Sequence, residues 1–71
     1  SHKYITLEML QDGEIHFSHP DVEPLHLPPE TNFNIHLVVE HLKDAGILER
    51  FVSTSPAPFG RIRVRYQPVT H

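Results

Sequence analysis

Cysteine and tryptophan are absent from this chain, and glycine occurs only three times in its 71 residues. Without cysteine no disulfide can form, and the chain bears no mark of an oxidising or a reducing compartment. So few glycines exclude a glycine-rich loop that would cradle a phosphate. No apolar run approaches the roughly 18 residues needed to cross a bilayer, and no signal-peptide pattern is present. No membrane partner is therefore expected, and the missing signal leans toward a soluble, intracellular protein. A surplus of positive charge is absent too. With a formal net charge of −3, the whole molecule does not draw nucleic acid or an anionic membrane from a distance, so any such attraction must come from a local patch.

Catalytic patterns are missing as well. Ser53, Thr54 and Ser55 lie in no nucleophile motif, and no paired carboxylates sit in a setting suited to acid–base work. A domain of 71 residues also has little room for a closed pocket. The expectation is a protein that binds rather than catalyses, with no cofactor.

What remains is a small globular pattern. Hydrophobic residues make up 38% of the chain, enough to separate it from a disordered segment and to supply one modest core. Ser1-His2 reads as a tag scar or a domain boundary, and residues 3–71 as a single α+β domain. In Tyr4 to Leu10, Ile5, Leu7 and Met9 alternate with polar neighbours and predict a half-buried strand, although Glu8 to Gln11 are also fair helix formers. Asp12-Gly13 signals a two-residue type I′ turn. Ile15 and Phe17 continue the alternation, so residues 4–18 read as a hairpin. Pro20, Pro24, Pro28 and Pro29 then rule out a continuous helix or central strand over residues 19–32. Leu25 to Leu27 is a place for a bridge or a short edge strand that ties this crossing segment to the core.

The helix signal is stronger. Ile35, Val38, Val39, Leu42 and Ala45 recur at three- and four-residue steps and form one apolar stripe, with His36, Glu40 and Lys43 opposite. Thr31, Asn32 and Asn34 are all suitable N-caps. Gly46 stands where a terminal glycine takes the left-handed conformation, with Ile47 placed to fold back on Leu42. A strand over Ile47 to Ser53, a loop over Thr54 to Gly60 and a strand over Arg61 to Tyr66, stopped by Pro68, complete the order.

The last strand alternates Arg61, Arg63 and Arg65 with Ile62, Val64 and Tyr66. Side chains two apart on a strand share a face about 6.8 Å apart, a spacing that suits successive phosphates. Guanidinium also bonds phosphate in pairs. The plainer alternative is an outer sheet face neutralised by Glu14 or Glu49 across strands. Arg50 and Lys43 are further candidate nucleic-acid contacts. Phe59, in the apolar loop SPAPF, and Tyr66 are candidates for contact with a protein partner or a second copy. Seven histidines are present. His16 and His19 form an H-x-x-H pair, but His36 and His41, five apart, miss the shared helical face that a metal needs, so no metal site is assigned.

The run HLVVEHLKDAGILERF, followed by a loop and GRIRVRYQP, resembles the recognition helix and wing of winged-helix domains over roughly residues 31–67. The likeness lies in Ala45, Gly46, Ile47, Leu48 and Arg50 and in the basic strand. It implies a groove-facing helix side at Asn34, His36, Glu40 and Lys43, with Arg61, Arg63 and Arg65 as wing contacts to phosphate. The element order equally suits a ββαββ arrangement with one helix packed on an antiparallel sheet, the β-grasp or a similar α+β fold. The second arrangement needs no further helices and is the expected one, with the winged helix as its alternative. The functional expectation is nucleic-acid binding or regulation through the basic C-terminal hairpin. The alternative is a protein-interaction module or assembly subunit that uses the hairpin edge and the helix.

Overall fold

Two-residue alternation and one amphipathic helix account for most of the architecture. The computed structural model describes residues 2–70. In it, β1 (Lys3–Met9), β2 (Glu14–Phe17), β3 (Leu25–His26), α1 (Ile35–Asp44), β4 (Leu48–Pro56) and β5 (Ile62–Pro68) follow one another along the chain. The strands form one five-stranded sheet in the order β3-β2-β1-β5-β4, antiparallel at every pairing. This is the expected α+β arrangement, one helix on an antiparallel sheet. Because β1 and β5 run antiparallel, it differs from the β-grasp, whose corresponding central pair is parallel.

One face of the sheet is covered. Ile5, Leu7, Ile15, Leu48, Val64 and Tyr66 meet Val38, Val39 and Leu42 of α1 and Val22 of the crossing segment in a single core. Met9, expected inward, is instead 48% exposed at the turn end of β1. Ala45 also leaves the expected stripe and is exposed, because the helix ends there and Ala45 becomes its C-cap.

The helix boundaries follow from local chemistry. Asn34 takes an extended backbone and its side-chain oxygen accepts from the His36 amide at 2.9 Å, satisfying one orphan donor of the first turn. At the other end Gly46 has φ +75°, the Ile47 amide donates to the Leu42 carbonyl at 3.1 Å, and the Gly46 amide donates to that of Lys43 at 3.0 Å. That pair of bonds is the Schellman closure.

Three sequence expectations shift. The first hairpin uses a three-residue loop, not a two-residue type I′ turn. The Gly13 amide donates to Leu10 O at 3.2 Å, the Leu10 amide donates to Glu14 O at 2.8 Å, and Gly13 takes φ +90°. A turn followed by a left-handed glycine is the usual three-residue solution. Next, β4 extends to Pro56, and the expected seven-residue loop shrinks to Ala57 and a 3₁₀ turn at Pro58–Gly60. Finally, β5 begins at Ile62 and includes Pro68, which lies opposite Leu48 and beyond the last β1 pairing, Lys3 with Tyr66. A residue without an amide donor is tolerated where the strand has one neighbour only. Pro56 is tolerated on β4 for the same reason, since β4 is the sheet edge.

β4 carries two register shifts, between Leu48 and Arg50 and between Phe51 and Ser53. Each inserts a residue, so Leu48, Phe51 and Thr54 pair with Pro68, Tyr66 and Val64 of the core-facing β5 parity at a spacing of three. Simple alternation cannot reveal this pattern. The crossing segment is tied down by its short strand, Leu25 pairing with Ile15, and by His41, whose Nε2 donates to Glu23 O at 2.7 Å while its ring stacks on Phe17 at 5.4 Å.

Apart from its two chain neighbours, no residue comes within 4 Å of the position a Cβ would take at Gly46, so the penalty for a side chain there is conformational. Gly46→Ala is therefore expected to cost about 1 kcal/mol and to lower the melting temperature by roughly 4–8 °C. Thermal unfolding of the two proteins checks it; an unchanged midpoint would contradict the capping role.

Candidate functional site

The sheet face away from α1 is open. Its residues follow from parity: Tyr4, Thr6 and Glu8 on β1, Glu14 and His16 on β2, Arg63 and Arg65 on β5, and Ser53 and Ser55 on β4. The register sets them side by side. Tyr4 lies opposite Arg65 and Thr6 opposite Arg63, while Ser53 and Ser55 flank Arg65 and Arg63 from the other side. Tyr4, Ser53, Ser55, Arg63 and Arg65 line a shallow cleft of about 560 Å³.

Tyr4 is the centre of this group. It is 58% exposed, although it sits on the middle strand of the sheet. The guanidinium carbons of Arg63 and Arg65 both lie 5.9 Å from its ring centroid. That is near the outer limit of cation–π attraction, worth about 0.5–1 kcal/mol at an exposed site.

The three arginines are not equivalent. Arg61 Nε lies 3.8 Å from Glu8 Oε2, so its charge faces a carboxylate. Among the described residues no carboxylate approaches Arg63 or Arg65 within 4.0 Å. The expected neutralisation by Glu14 or Glu49 does not occur among these residues: Glu14 accepts from His16 Nε2 at 3.1 Å. Charge is thus divided across the open face, with Glu8 and Glu14 toward the β2 side and two free guanidiniums over β5.

Of the other candidate residues, Arg50 pairs with Gln67 further along the same hairpin and is exposed. Lys43 is exposed in the last turn of α1, on the layer across the sheet from Arg63 and Arg65. The exposed His36 and Glu40 are on that layer too, and the Asn34 side chain is used in capping. Phe59 stands 90% exposed at the tip of the β4–β5 hairpin. Tyr66, by contrast, is only 3% exposed and belongs to the core, because it shares the parity of Ile62 and Val64. It cannot serve as the exposed interaction residue expected of it. Tyr4 was not among the sequence candidates. The alternation around Ile5 and Leu7 already put it on the open face, but only the β1–β5 register brings it beside the arginines.

Among the described residues, no group of three or more histidines, aspartates or glutamates is placed to hold a metal ion, and no helix is long and apolar enough to cross a membrane. His19 Nδ1 accepts from the Asp21 amide at 3.1 Å, so the H-x-x-H pair is divided between a turn and the sheet face. No protein family, curated protein or solved structure matches this chain.

Burial pushes the Tyr66 phenol above its ordinary pKa by penalising the phenolate. The folded state then holds the proton more tightly than the unfolded one, so this contribution to stability is complete below the unfolded value, about 10, and is lost as pH rises through the raised one. Stability measured by denaturant is expected to fall above about pH 10, and Tyr66→Phe to flatten that part of the profile. An alkaline limb unchanged in the variant would contradict the assignment.

Proposed function

We propose that this chain is a non-enzymatic binding module whose ligand is nucleic acid, held by its phosphates on the open face of the sheet. The observation that carries the reading is the pair Arg63 and Arg65: adjacent, on one face, and without a carboxylate partner among the described residues. Side chains two apart on a strand start about 6.8 Å apart, a repeat that suits consecutive phosphates, and the planar fork of each arginine can bond one phosphate twice. Ser53 and Ser55 add hydroxyls in the same cleft. The net charge of −3 does not oppose this. Glu40, Asp44, Asp21, Glu23 and Glu30 are exposed on the helix and the crossing segment, away from this face. Phosphate contacts position a polymer without reading its sequence.

Binding of labelled DNA and RNA at about 50 and 200 mM salt tests the proposal. Neutralising two phosphates predicts a loss of affinity of roughly tenfold across that range. The double variant Arg63→Ala, Arg65→Ala is expected to remove binding at the lower salt. An affinity unchanged by the double variant, or no binding at all, overturns the reading.

A second reading, a protein-interaction module, is favoured by Phe59. This ring is 90% exposed on a backbone with φ +64°, a left-handed conformation that costs a non-glycine residue about 1–2 kcal/mol. Edge addition along β4 is less favoured, since two register shifts and Pro56 interrupt its free edge. On this reading Phe59→Asn, which tolerates the backbone, abolishes association seen in sedimentation at rising concentration while leaving the melting temperature unchanged or higher. A protein that is monomeric throughout rules out self-association through this tip.

A further inference from the structure

We infer that the open face takes single-stranded nucleic acid in preference to duplex, with one base stacked on Tyr4 while Arg63 and Arg65 hold the flanking phosphates. This rests on the nucleic-acid reading above and specifies its ligand.

Three observations carry it. Tyr4 keeps 58% of its surface exposed on the middle strand of the open face, so one side of the ring is available to a ligand. Its companions are two guanidiniums at 5.9 Å from the ring centroid. Those contacts are long and exposed, so a base can displace them at small cost. Guanidinium planes also offer stacking surface of their own. Tyr4, Ser53, Ser55, Arg63 and Arg65 line one shallow depression, which sets an aromatic face, two guanidiniums and two hydroxyls side by side without enclosing a ligand.

The geometry opposes a duplex. Bases inside a double helix present their edges, not their faces, so an aromatic ring on a sheet has nothing to stack against. Entry into a groove needs a protruding charged element. Here the protruding hairpin tip, Pro56 to Gly60, carries no charge, and Arg61 beside it faces Glu8. The free guanidiniums lie back on the sheet, and Lys43 on α1 is separated from them by the thickness of the sheet. A flexible single strand can lie along such a surface and turn a base into it.

The test uses the whole chain and four labelled probes of equal length: oligothymidylate, oligouridylate, a duplex, and a single strand whose bases are replaced by abasic sites. The expected result is that both base-bearing single strands bind at least about tenfold more tightly than the duplex and the abasic chain. Tyr4→Leu is expected to weaken them about 5- to 150-fold, the range for loss of one base–aromatic stack, while Tyr4→Phe retains affinity. A second measurement reads the ring itself. The chain has two tyrosines and no tryptophan, so in a Tyr66→Phe background Tyr4 is the sole fluorophore, and stacking is expected to quench it. Equal affinity for all four probes, with Tyr4→Leu unchanged and no quenching, overturns this inference but leaves phosphate binding intact. Absence of binding to every probe overturns the phosphate reading itself.

Discussion

The antiparallel pairing of β1 with β5 is the constraint on which the rest of the molecule depends. It joins two hairpins distant in sequence into one sheet and brings Ile5 and Leu7 beside Val64 and Ile62 on the covered face. The same register, acting on the alternate residues, brings Tyr4 beside Arg65 and Thr6 beside Arg63 on the open face. Core and candidate site are therefore two sides of one set of backbone hydrogen bonds. A one-residue slip would put arginine into the core and valine into water, at a desolvation cost that no side-chain rearrangement could recover.

The helix supplies the second half of that constraint. Val38, Val39 and Leu42 cover one face of the sheet only, and a chain of this length has no second helix among its described residues to cover the other. An antiparallel sheet accepts this because one side can remain solvated. The uncovered side is then free for polar and charged residues, and here it carries more than solvent requires. Arg63 and Arg65, without a carboxylate partner among the described residues, serine hydroxyls and an exposed tyrosine converge there on one shallow cleft. Glu8 and Glu14 share the open face but lie toward β2, beside Arg61 and His16, so a molecule of net negative charge still presents a small cationic surface over β5. Such a patch acts at contact range, where screening over about 8–10 Å leaves it intact.

Stability is drawn from local closures as well as from the core. Asn34 and the Gly46 turn satisfy the helix ends. The left-handed Gly13 closes the first hairpin, and the contact of His41 with Glu23 anchors a segment whose four prolines leave it only the two-residue strand β3. Each closure is modest, and together they replace the disulfides that this chain does not have.

Much of this was legible in the residues alone. The periodicity of Ile35 to Leu42, the left-handed role of Gly46 and the alternation of Ile62 to Tyr66 determined a helix, its end and a two-faced strand, because each depends on neighbours within a few positions. The short strand at Leu25 was also within reach of local pattern. Tertiary structure alone decided the rest. Which carboxylate faces Arg61, and that Arg63 and Arg65 have none among the described residues, depends on register between strands more than 50 positions apart. The bulges of β4 shift its core face to a spacing of three, and long-range pairing requires this where the strand itself shows no period. Tyr66, a candidate partner contact on the apolar parity of β5, is claimed by the core once the helix covers that face, and Tyr4 gains its arginine neighbours only when β5 is laid beside it. Local sequence chose the elements; the order in which the sheet assembles chose which of their side chains meet.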